Sequence, residues 1–304
     1  MFKKILFATS ATGACDHAAR VAFAMAGRFS AQLDIFHVIG LPTRAYSQVV
    51  IDAKTRERVE IDEEYCDWVK EELRVYYEQL LEKLAGNHTM EVAVGETHRE
   101  ILRKVRNDPP DLIVMGGSTR HVEDSAFRNV VTGSTFQRVA KAAPRPVLVI
   151  TRPAASFWGG FSRIVVGTDF SEGADMAVEY ALHLARTTGC EICLFHAVDI
   201  SGLPLGQFLT QDDIEDRLRV ARKRIRSRYV PQFGDIRNYT VDVWEGIPGL
   251  EIVKYAREKQ ADLIIMAHHA RRAESGEDRM GSVMEQVIVR AGCPVLSLNR
   301  TVFK

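Results

Sequence analysis

The chain has 304 residues, which is enough for two domains at the usual size of about 100–200 residues each. Its 40 basic and 40 acidic residues give a formal net charge of zero, which argues against a protein held to nucleic acid by phosphate neutralisation. Hydrophobic residues make up 46% and charged residues 26%, as in ordinary globular domains, and no apolar run approaches the length of about 18 residues that a membrane span needs. We therefore expect neither a nucleic-acid partner nor a membrane partner.

The N-terminus and the cysteines indicate the cellular compartment of the protein. The first predicted strand, Ile5–Ala8, follows two lysines and so has the look of a secretory signal. Its apolar stretch is too short for the core of such a signal, and a near-copy, Ile164–Thr168, lies deep inside the chain. The five cysteines are an odd and sparse set, which favours a reducing environment over a disulfide framework. We predict a cytoplasmic protein.

The chain is an internal duplication. Three pairs of segments match in the same order, at offsets of 159, 151 and 148 residues: Ile5–Ser10 with Ile164–Asp169, Asp111–Met115 with Asp262–Met266, and Pro146–Val149 with Pro294–Ser297. A repeat of about 150 residues is a duplicated domain rather than a solenoid. Residues 153–160 contain a proline and two glycines without periodicity, as linkers do. We predict a first domain over residues 1–152, a linker over 153–160 and a second domain over 161–304.

Each copy alternates short β-branched runs with longer helical patterns. In the second copy Ser171 is a predicted N-cap, and the stretch Asp212–Arg228 is a predicted helix that is acidic at its start and basic at its end. Its basic residues are interpreted as a solvated face, and a nucleic-acid face is the weaker alternative. Strands that alternate with helices form parallel sheets with right-handed crossovers. The predicted fold is α/β, with two Rossmann-like domains in tandem, each a doubly wound, five-stranded and mainly parallel sheet.

Such sheets bind ligands beyond the carboxyl ends of their strands, at the point where the strand order reverses. The candidate binding residues are therefore those that follow the strands. In the first copy they are Thr9, Ser10, Val38, Gly116, Thr119, Gly133 and Ser134. In the second copy they are Thr168, Asp169, Ala197, Ala267, Ala270, Gly281 and Ser282.

Five segments of the second copy, in the same order as their echoes in the first, carry a family resemblance. They are Val165–Glu172, the strand ending in His196, Gly246–Pro248, Asp262–Met266, and Gly281–Ser282 leading to Cys293–Leu296. In this arrangement the chain resembles the universal stress protein family in its tandem two-domain form. The resemblance implies a cytoplasmic stress-response protein, often dimeric. It also implies that some members bind ATP with little or no hydrolysis.

The resemblance also assigns roles to positions. In ATP-binding members an aspartate after the first strand holds the adenosine, and a backbone position after the second strand touches adenine. A Gly-x-x-Gly motif, followed about ten residues later by Gly-Ser or Gly-Thr, wraps the phosphates. Glycine lets backbone amides approach an anion closely, and the following helix N-terminus adds free N–H groups.

The two copies depart from this pattern in complementary ways. The first keeps Gly116 and Gly133–Ser134, but Ser10 replaces the aspartate and Thr119 replaces the second glycine. The sequence therefore predicts a first copy able to hold phosphate and poor at holding a nucleoside.

The second copy departs from the pattern in the opposite way, keeping the residue for the nucleoside and losing those for the phosphates. It keeps Asp169 and Gly281–Ser282, whereas alanines at 267 and 270 replace both phosphate glycines. Basic residues of the adjacent loop, from His268 to Arg272, could supply charge to an anion in their place. The alternative is a polar loop over a vestigial pocket.

Metal sites and catalytic motifs find little support. Cys190 and Cys193 have CxxC spacing, but they lie in a run predicted as a strand, where residues three apart point to opposite faces. His37 and His196 occupy equivalent strand-end positions, so duplication explains them more simply than coordination does. The chain has no G-x-S-x-G, P-loop, H-E-x-x-H or G-x-G-x-x-G motif. We predict no metal site and no strong catalysis, with weak ATP hydrolysis left open.

The sequence thus favours a sensor of a small-molecule ligand, with ATP or AMP, accompanied by Mg²⁺, as the expected nucleotide. We expect a homodimer or an intramolecular pseudo-dimer of the two copies. One alternative is a binder of a non-nucleotide small molecule in a reshaped pocket. Another is an enzyme that hydrolyses a nucleotide or transfers a group from it.

Overall fold

The computed structural model describes residues 2–41, 49–51, 58–84, 87–117, 135–153, 160–200, 210–267 and 282–299. The chain divides into two compact units, Phe2–Val147 and Leu148–Lys304. Within the predicted linker, residues 154–159 lie outside the described residues, so the domain limits at 152 and 161 stay predictions.

The first unit alternates strands and helices as the sequence predicts. Its elements are β1 (Lys4–Thr9), a 3-10 turn (Gly13–Cys15), α1 (Asp16–Phe29), β2 (Gln32–Gly40), β3 (Val49–Ile51), β4 (Arg58–Glu60), α2 (Glu63–Leu81), β5 (His88–Gly95), α3 (Thr97–Asn107), β6 (Leu112–Gly116), α4 (Thr135–Ala142) and the start of β7 (Val147–Ile150). The sheet order is β5-β2-β1-β6, all parallel, with β7 beside β6. A small antiparallel pair, β3 and β4, interrupts the repeat and was not predicted.

The second unit repeats the pattern without that insertion in its described residues. Its elements are β8 (Arg163–Gly167), α5 (Glu172–Thr188), β9 (Glu191–Val198), α6 (Gln211–Phe233), β10 (Tyr239–Glu245), α7 (Pro248–Glu258), β11 (Leu263–Ala267), α8 (Ser282–Arg290) and β12 (Val295–Leu298). The five strands run parallel in the order β10-β9-β8-β11-β12. The predicted Rossmann-like α/β fold is confirmed.

Burial on both faces explains the strand sequences. Ile5–Ala8 in β1 and Ile164–Val166 in β8 are continuous apolar runs with every side chain buried, as in parallel strands covered by helices on both sides. Helix α5 presents alanines to the sheet, and their small side chains allow the helix to pack closely. Its predicted cap is confirmed, because the Ser171 hydroxyl accepts the Ala174 N–H at 3.1 Å.

The predicted helix over Asp212–Arg228 is confirmed as the middle of α6. Thr210 and Asp213 form a capping box at its start, each side chain accepting the other's backbone N–H. Cys193 lies in β9 and Cys190 immediately before it, and burial raises the pKa of both thiols. No helix among the described residues is long and apolar enough to cross a membrane.

A carboxylate at the opposite end of the sheet from the candidate site joins two strands in each unit. The buried Asp262 precedes β11, and its Oδ2 accepts the backbone N–H groups of Ser162 (2.6 Å) and Arg163 (2.8 Å) and the Ser162 hydroxyl (2.5 Å). Asp111 does the same in the first unit, accepting the N–H groups of Lys3 and Lys4. The aspartate of the repeated Asp-Leu-Ile motif is therefore a structural acceptor.

We expect Asp262→Ala to lower the free energy of unfolding of the second unit by about 1–3 kcal/mol, because buried donors lose their acceptor. Asp262→Asn keeps one acceptor oxygen and should cost less. Urea denaturation followed by circular dichroism measures both variants. Equal midpoints for wild type and Asp262→Ala would contradict this role.

Candidate functional site

The strand order brings the candidate residues to one edge of each sheet. In the first unit β1 lies between β2 and β6, so the order reverses between β1 and β6, where such folds bind ligands. Thr9 pairs with His37 of β2, and Ala8 pairs with Met115 of β6, so the ends of the three strands coincide. Thr9, Ser10, Val38 and Gly116 therefore lie at the same end of the sheet.

The second unit gathers its counterparts in the same way. Gly167 of β8 pairs with Phe195 of β9, and Val166 pairs with Ile265 of β11. Thr168 and Asp169 follow β8, Ala267 ends β11, and Ala197 is the last residue but one of β9 rather than the residue after it. The remaining predicted site residues are Thr119, Gly133, Ser134, Ala270 and Gly281, which lie outside the described residues, and Ser282, which is described only as the first residue of α8. The phosphate half of each site stays a prediction.

A buried hydrogen-bond network supports each site. In the first unit the Thr9 hydroxyl lies 2.6 Å from the Tyr77 hydroxyl of α2, and the Thr9 carbonyl accepts His37 Nδ1–H at 2.9 Å. Tyr77 is 2% exposed and Thr9 is 7% exposed, so these polar atoms depend on one another.

The second unit reproduces this network atom for atom. The Thr168 hydroxyl lies 2.8 Å from the Tyr229 hydroxyl of α6, and the Thr168 carbonyl accepts His196 Nδ1–H at 2.7 Å. The sequence interpretation identified the threonines and histidines but missed the tyrosines. Tyr77 and Tyr229 are 152 residues apart, close to the offsets of the other repeated segments, and that spacing was the available signal.

The same threonine side chain holds a left-handed turn after each first strand. Thr9 Oγ1 accepts the Ala11 N–H at 2.9 Å, and Thr168 Oγ1 accepts the Phe170 N–H at 3.0 Å. Ala11 has φ 50° and Phe170 has φ 64°, values that residues other than glycine rarely adopt. The turn presents the intervening residue, Ser10 or Asp169, at the end of the strand.

The presented residues differ in charge. Ser10 is neutral, and its hydroxyl contacts Thr12 Oγ1 at 2.9 Å and Cys15 Sγ at 3.1 Å. Asp169 is an exposed carboxylate whose Oδ1 accepts both the backbone N–H of Ser171 (3.0 Å) and its hydroxyl (2.5 Å). The carboxylate is therefore oriented by the first turn of α5, and of the two presented residues Asp169 is the anion.

Gly116 has a packing reason to be glycine. A β-carbon on it would lie 3.0 Å from both the Ala14 carbonyl oxygen and Cys15 Sγ, which belong to the 3-10 turn before α1. In the second unit the described residues between β8 and α5 contain no such turn, and α5 begins at Glu172. Alanine is tolerated at 267 for that reason. The glycine at 116 is therefore not in itself a mark of phosphate binding.

The second site is tied to α6 by a larger network. Tyr229 donates its hydroxyl proton to Asp175 Oδ1 (2.9 Å), and Arg228 binds both oxygens of that carboxylate. The Arg228 hydrogen bonds hold the pKa of Asp175 below its usual range, and burial raises the pKa of Tyr229 to about 12. The first unit has a weaker counterpart, in which the Tyr76 hydroxyl donates to Asp16 at 2.7 Å.

Aromatic contacts extend this second network to the strand ends. The ring of Phe170 lies 4.4 Å from that of His196, and the guanidinium of Arg224 lies 4.4 Å above the Phe170 ring. A guanidinium at that distance is attracted by the face of the ring. Arg224 therefore brings a cation from α6 to the edge of the candidate site.

Both histidines are neutral hydrogen-bond donors near pH 7. Burial lowers the pKa of His37 and of His196, and this outweighs the opposing effect of the hydrogen bond to the threonine carbonyl. With Nδ1 donating to that carbonyl, Nε2 carries the lone pair.

Comparison with known sequences agrees with this geometry. A sequence model of the universal stress protein family matches residues 1–151 and again residues 160–298. The chain belongs to the universal stress protein family. It is a tandem member, because both copies match separately.

Individual relatives match one copy each. Universal stress protein MJ0531 of Methanocaldococcus jannaschii is 32% identical over 147 residues, which is 46% of this chain and 83% of the relative. Universal stress protein MJ0577 of the same organism is 27% identical over 156 residues, covering 46% of this chain and 96% of the relative.

Tandem structures match the whole chain in fold. A universal stress protein from Archaeoglobus fulgidus DSM 4304 superposes with a TM-score of 0.64 at 22% identity, covering 99% of both chains. A universal stress protein described as putative, from Pseudomonas aeruginosa UCBPP-PA14, has a TM-score of 0.58 at 18% identity and covers 98% of this chain and 93% of its own.

We expect Tyr229→Phe to lower the free energy of unfolding by about 1–3 kcal/mol, because the Thr168 hydroxyl and the Asp175 carboxylate lose a buried partner. Tyr239→Phe is the matched control, since its hydroxyl makes no hydrogen bond to the described residues. Urea denaturation compares the two variants. Equal losses would show that the Tyr229 hydroxyl contributes nothing specific.

His37 and His196 make stability fall on acidification. Both histidines are partly buried. Their pKa values are lower in the folded state, so the unfolded chain takes up protons first as the pH falls below about 6.5. His37→Asn/His196→Asn keeps an amide donor and should flatten the decline in the urea midpoint between pH 7 and pH 5.5, a range chosen around about 6.5. His183→Asn, on the exposed side of α5, should leave the slope as in wild type.

Proposed function

We propose that this universal stress protein is a cytoplasmic sensor that binds a nucleotide of the ATP or AMP type without strong catalysis, and that its second unit holds the nucleoside. The observation that carries this proposal is the exposed carboxylate of Asp169, oriented by Ser171 at the point where the strand order reverses. A fixed carboxylate accepts hydrogen bonds from the two hydroxyls of a ribose. Members of the family that bind ATP use an aspartate at this position.

Other residues of the two sites also support a nucleoside bound in the second unit. Ala197 continues β9 one residue after His196, and we expect its backbone to contact the adenine. Ser10 replaces the carboxylate in the first unit and offers one hydroxyl that already contacts Thr12 and Cys15. We therefore expect the first site to bind a nucleoside more weakly than the second. Mg²⁺ would enter with a nucleoside triphosphate, held mainly by its phosphates.

A second candidate ligand is a small molecule other than a nucleotide. Ala267 favours it, because a methyl group at the end of β11 stands where a glycine would let backbone amides approach a phosphate. Arg224 above Phe170 could then supply the charge for a different anion.

The first test is to denature freshly purified protein and identify any released small molecule by mass spectrometry. Recovery of ATP or AMP near one per chain supports the proposal. Recovery of a different compound favours the second candidate. Absence of a nucleotide, together with no thermal shift on adding Mg-ATP or AMP, would overturn it.

Calorimetric titration with Mg-ATP and AMP then locates the site. We expect Asp169→Asn to weaken binding at least about tenfold, because a charged acceptor is lost. Asp235→Asn, an exposed change outside the site, should bind as wild type does. Steady phosphate release that survives further purification, and that Asp169→Asn abolishes, would establish the enzyme alternative.

A further inference from the structure

Helices α2 and α6 occupy the same place in the two repeats but carry opposite charge. Helix α2 has six acidic and two basic residues, whereas α6 has four acidic and seven basic residues. All seven basic residues lie between Arg217 and Arg228, with no acidic residue among them.

The buried side of the two helices fixes their alignment. Tyr77 and Tyr229 make the same hydrogen bond to the strand-end threonine, and one turn earlier Leu73 and Ile225 are both buried. The helices therefore correspond residue by residue at an offset of 152. Differences between them at exposed positions are differences between equivalent surfaces.

At three of those exposed positions the charge is inverted, whereas it keeps its sign at Glu64 and Asp216 and at Arg74 and Arg226. Three acidic residues of α2 correspond to basic residues of α6: Asp67 to Arg219, Glu71 to Lys223, and Glu72 to Arg224. One exposed apolar position is also shared, since Trp68, 51% exposed, corresponds to Val220, 63% exposed, whereas the exposed Val75 and Tyr76 of α2 have no apolar equivalent on α6.

Spacing gathers these residues into one stripe on each helix, because positions three, four and seven apart share a face. The acidic surface is defined as Glu64, Trp68, Glu71, Glu72 and Val75 of α2. The basic surface is defined as Arg217, Val220, Lys223 and Arg224 of α6. Glu71 and Glu72 follow Trp68, and Lys223 and Arg224 follow Val220, whereas the position one turn earlier is acidic on both helices, as Glu64 and Asp216.

Little within the described residues neutralises these surfaces. On the acidic surface Glu71 pairs with Arg74 of its own helix, and both side chains are exposed. On the basic helix only Arg219 and Arg228 have ion pairs in the described part of the chain, with Asp216 and Asp175. Most of the charge on both stripes is thus available to a partner.

We propose that the acidic surface of one copy of this chain binds the basic surface of a second copy. Glu71 and Glu72 have the same spacing from Trp68 as Lys223 and Arg224 have from Val220, with opposite sign, so helices laid side by side would bring the two apolar side chains together beside attractive charge pairs. Tryptophan is the type of residue that anchors such contacts. The inference goes beyond the proposed function and does not depend on it.

A second copy fits the observations better than a nucleic acid does. The chain has no net charge, so two copies do not repel one another overall, whereas a polyanion would be repelled by the acidic surface. Contact through exposed charges is screened by salt, over about 10 Å at 0.1 M. The association should therefore weaken as salt rises.

The test is sedimentation velocity of the whole chain at low and high salt, with two charge-reversal variants. Arg217→Glu/Lys223→Glu makes both surfaces acidic, and Glu71→Lys/Glu72→Lys makes both basic. We expect each variant alone to self-associate at least about tenfold more weakly than wild type. An equimolar mixture of the two should associate again, because each variant then carries the surface that the other needs.

The control is Arg237→Glu/Arg290→Glu, which changes the net charge equally at exposed positions away from α2 and α6. It should associate like wild type, and circular dichroism should show all variants folded. Wild type that stays monomeric at low salt, or a mixture that fails to recover association, would overturn the proposal. Binding of short duplex DNA, lost in Arg217→Glu/Lys223→Glu, with no self-association would assign the basic surface to nucleic acid instead.

Discussion

The hydrogen bond between a strand-end threonine and a tyrosine on the crossover helix is the interaction on which each candidate site depends. Thr9 with Tyr77, and Thr168 with Tyr229, bury polar atoms that would be costly without a partner. The threonine also holds the left-handed residue that follows the strand, and its carbonyl holds the histidine of the neighbouring strand. One residue, through its side chain and its carbonyl, therefore sets the geometry of three elements, and the site is a consequence of how the crossover helix packs on the sheet.

The two doubly wound α/β domains could be predicted from the sequence, because the evidence for them is local and is present in both copies. The alternating patterns predicted the strands and helices, and the Ser171 cap predicted the start of α5. The same pattern in both copies supported each of these assignments. The β3–β4 pair was missed because three-residue strands leave almost no periodicity to detect. The tyrosine partners were missed because they lie 68 and 61 residues from their threonines, beyond the reach of any local pattern.

The positions of the candidate site residues could be predicted from the sequence, but their roles could be predicted only in part. Thr9, Ser10, Val38 and Gly116 do converge, as do Thr168, Asp169, Ala197 and Ala267, because strand-end residues of a parallel sheet must share an edge. The significance of a glycine was harder to predict. Gly116 is required by the 3-10 turn packed against it, a contact that depends on the length of the preceding turn rather than on a motif. The basic run of α6 was predicted as a solvated face, and its residues are indeed exposed, but its inverted counterpart in α2 became apparent only once the two helices were aligned by their buried tyrosines.

In the turn after the first strand, the residues that hold the backbone are different from the residue that the turn presents. Its backbone is held by the threonine on one side and the left-handed residue on the other, and the side chain between them, serine or aspartate, bonds to the turn that follows. Serine and aspartate are both accommodated at that position in a single polypeptide. After duplication, each copy could therefore change the side chain at its candidate site through one codon while keeping its architecture. In this way one gene can come to carry two candidate sites that diverge independently.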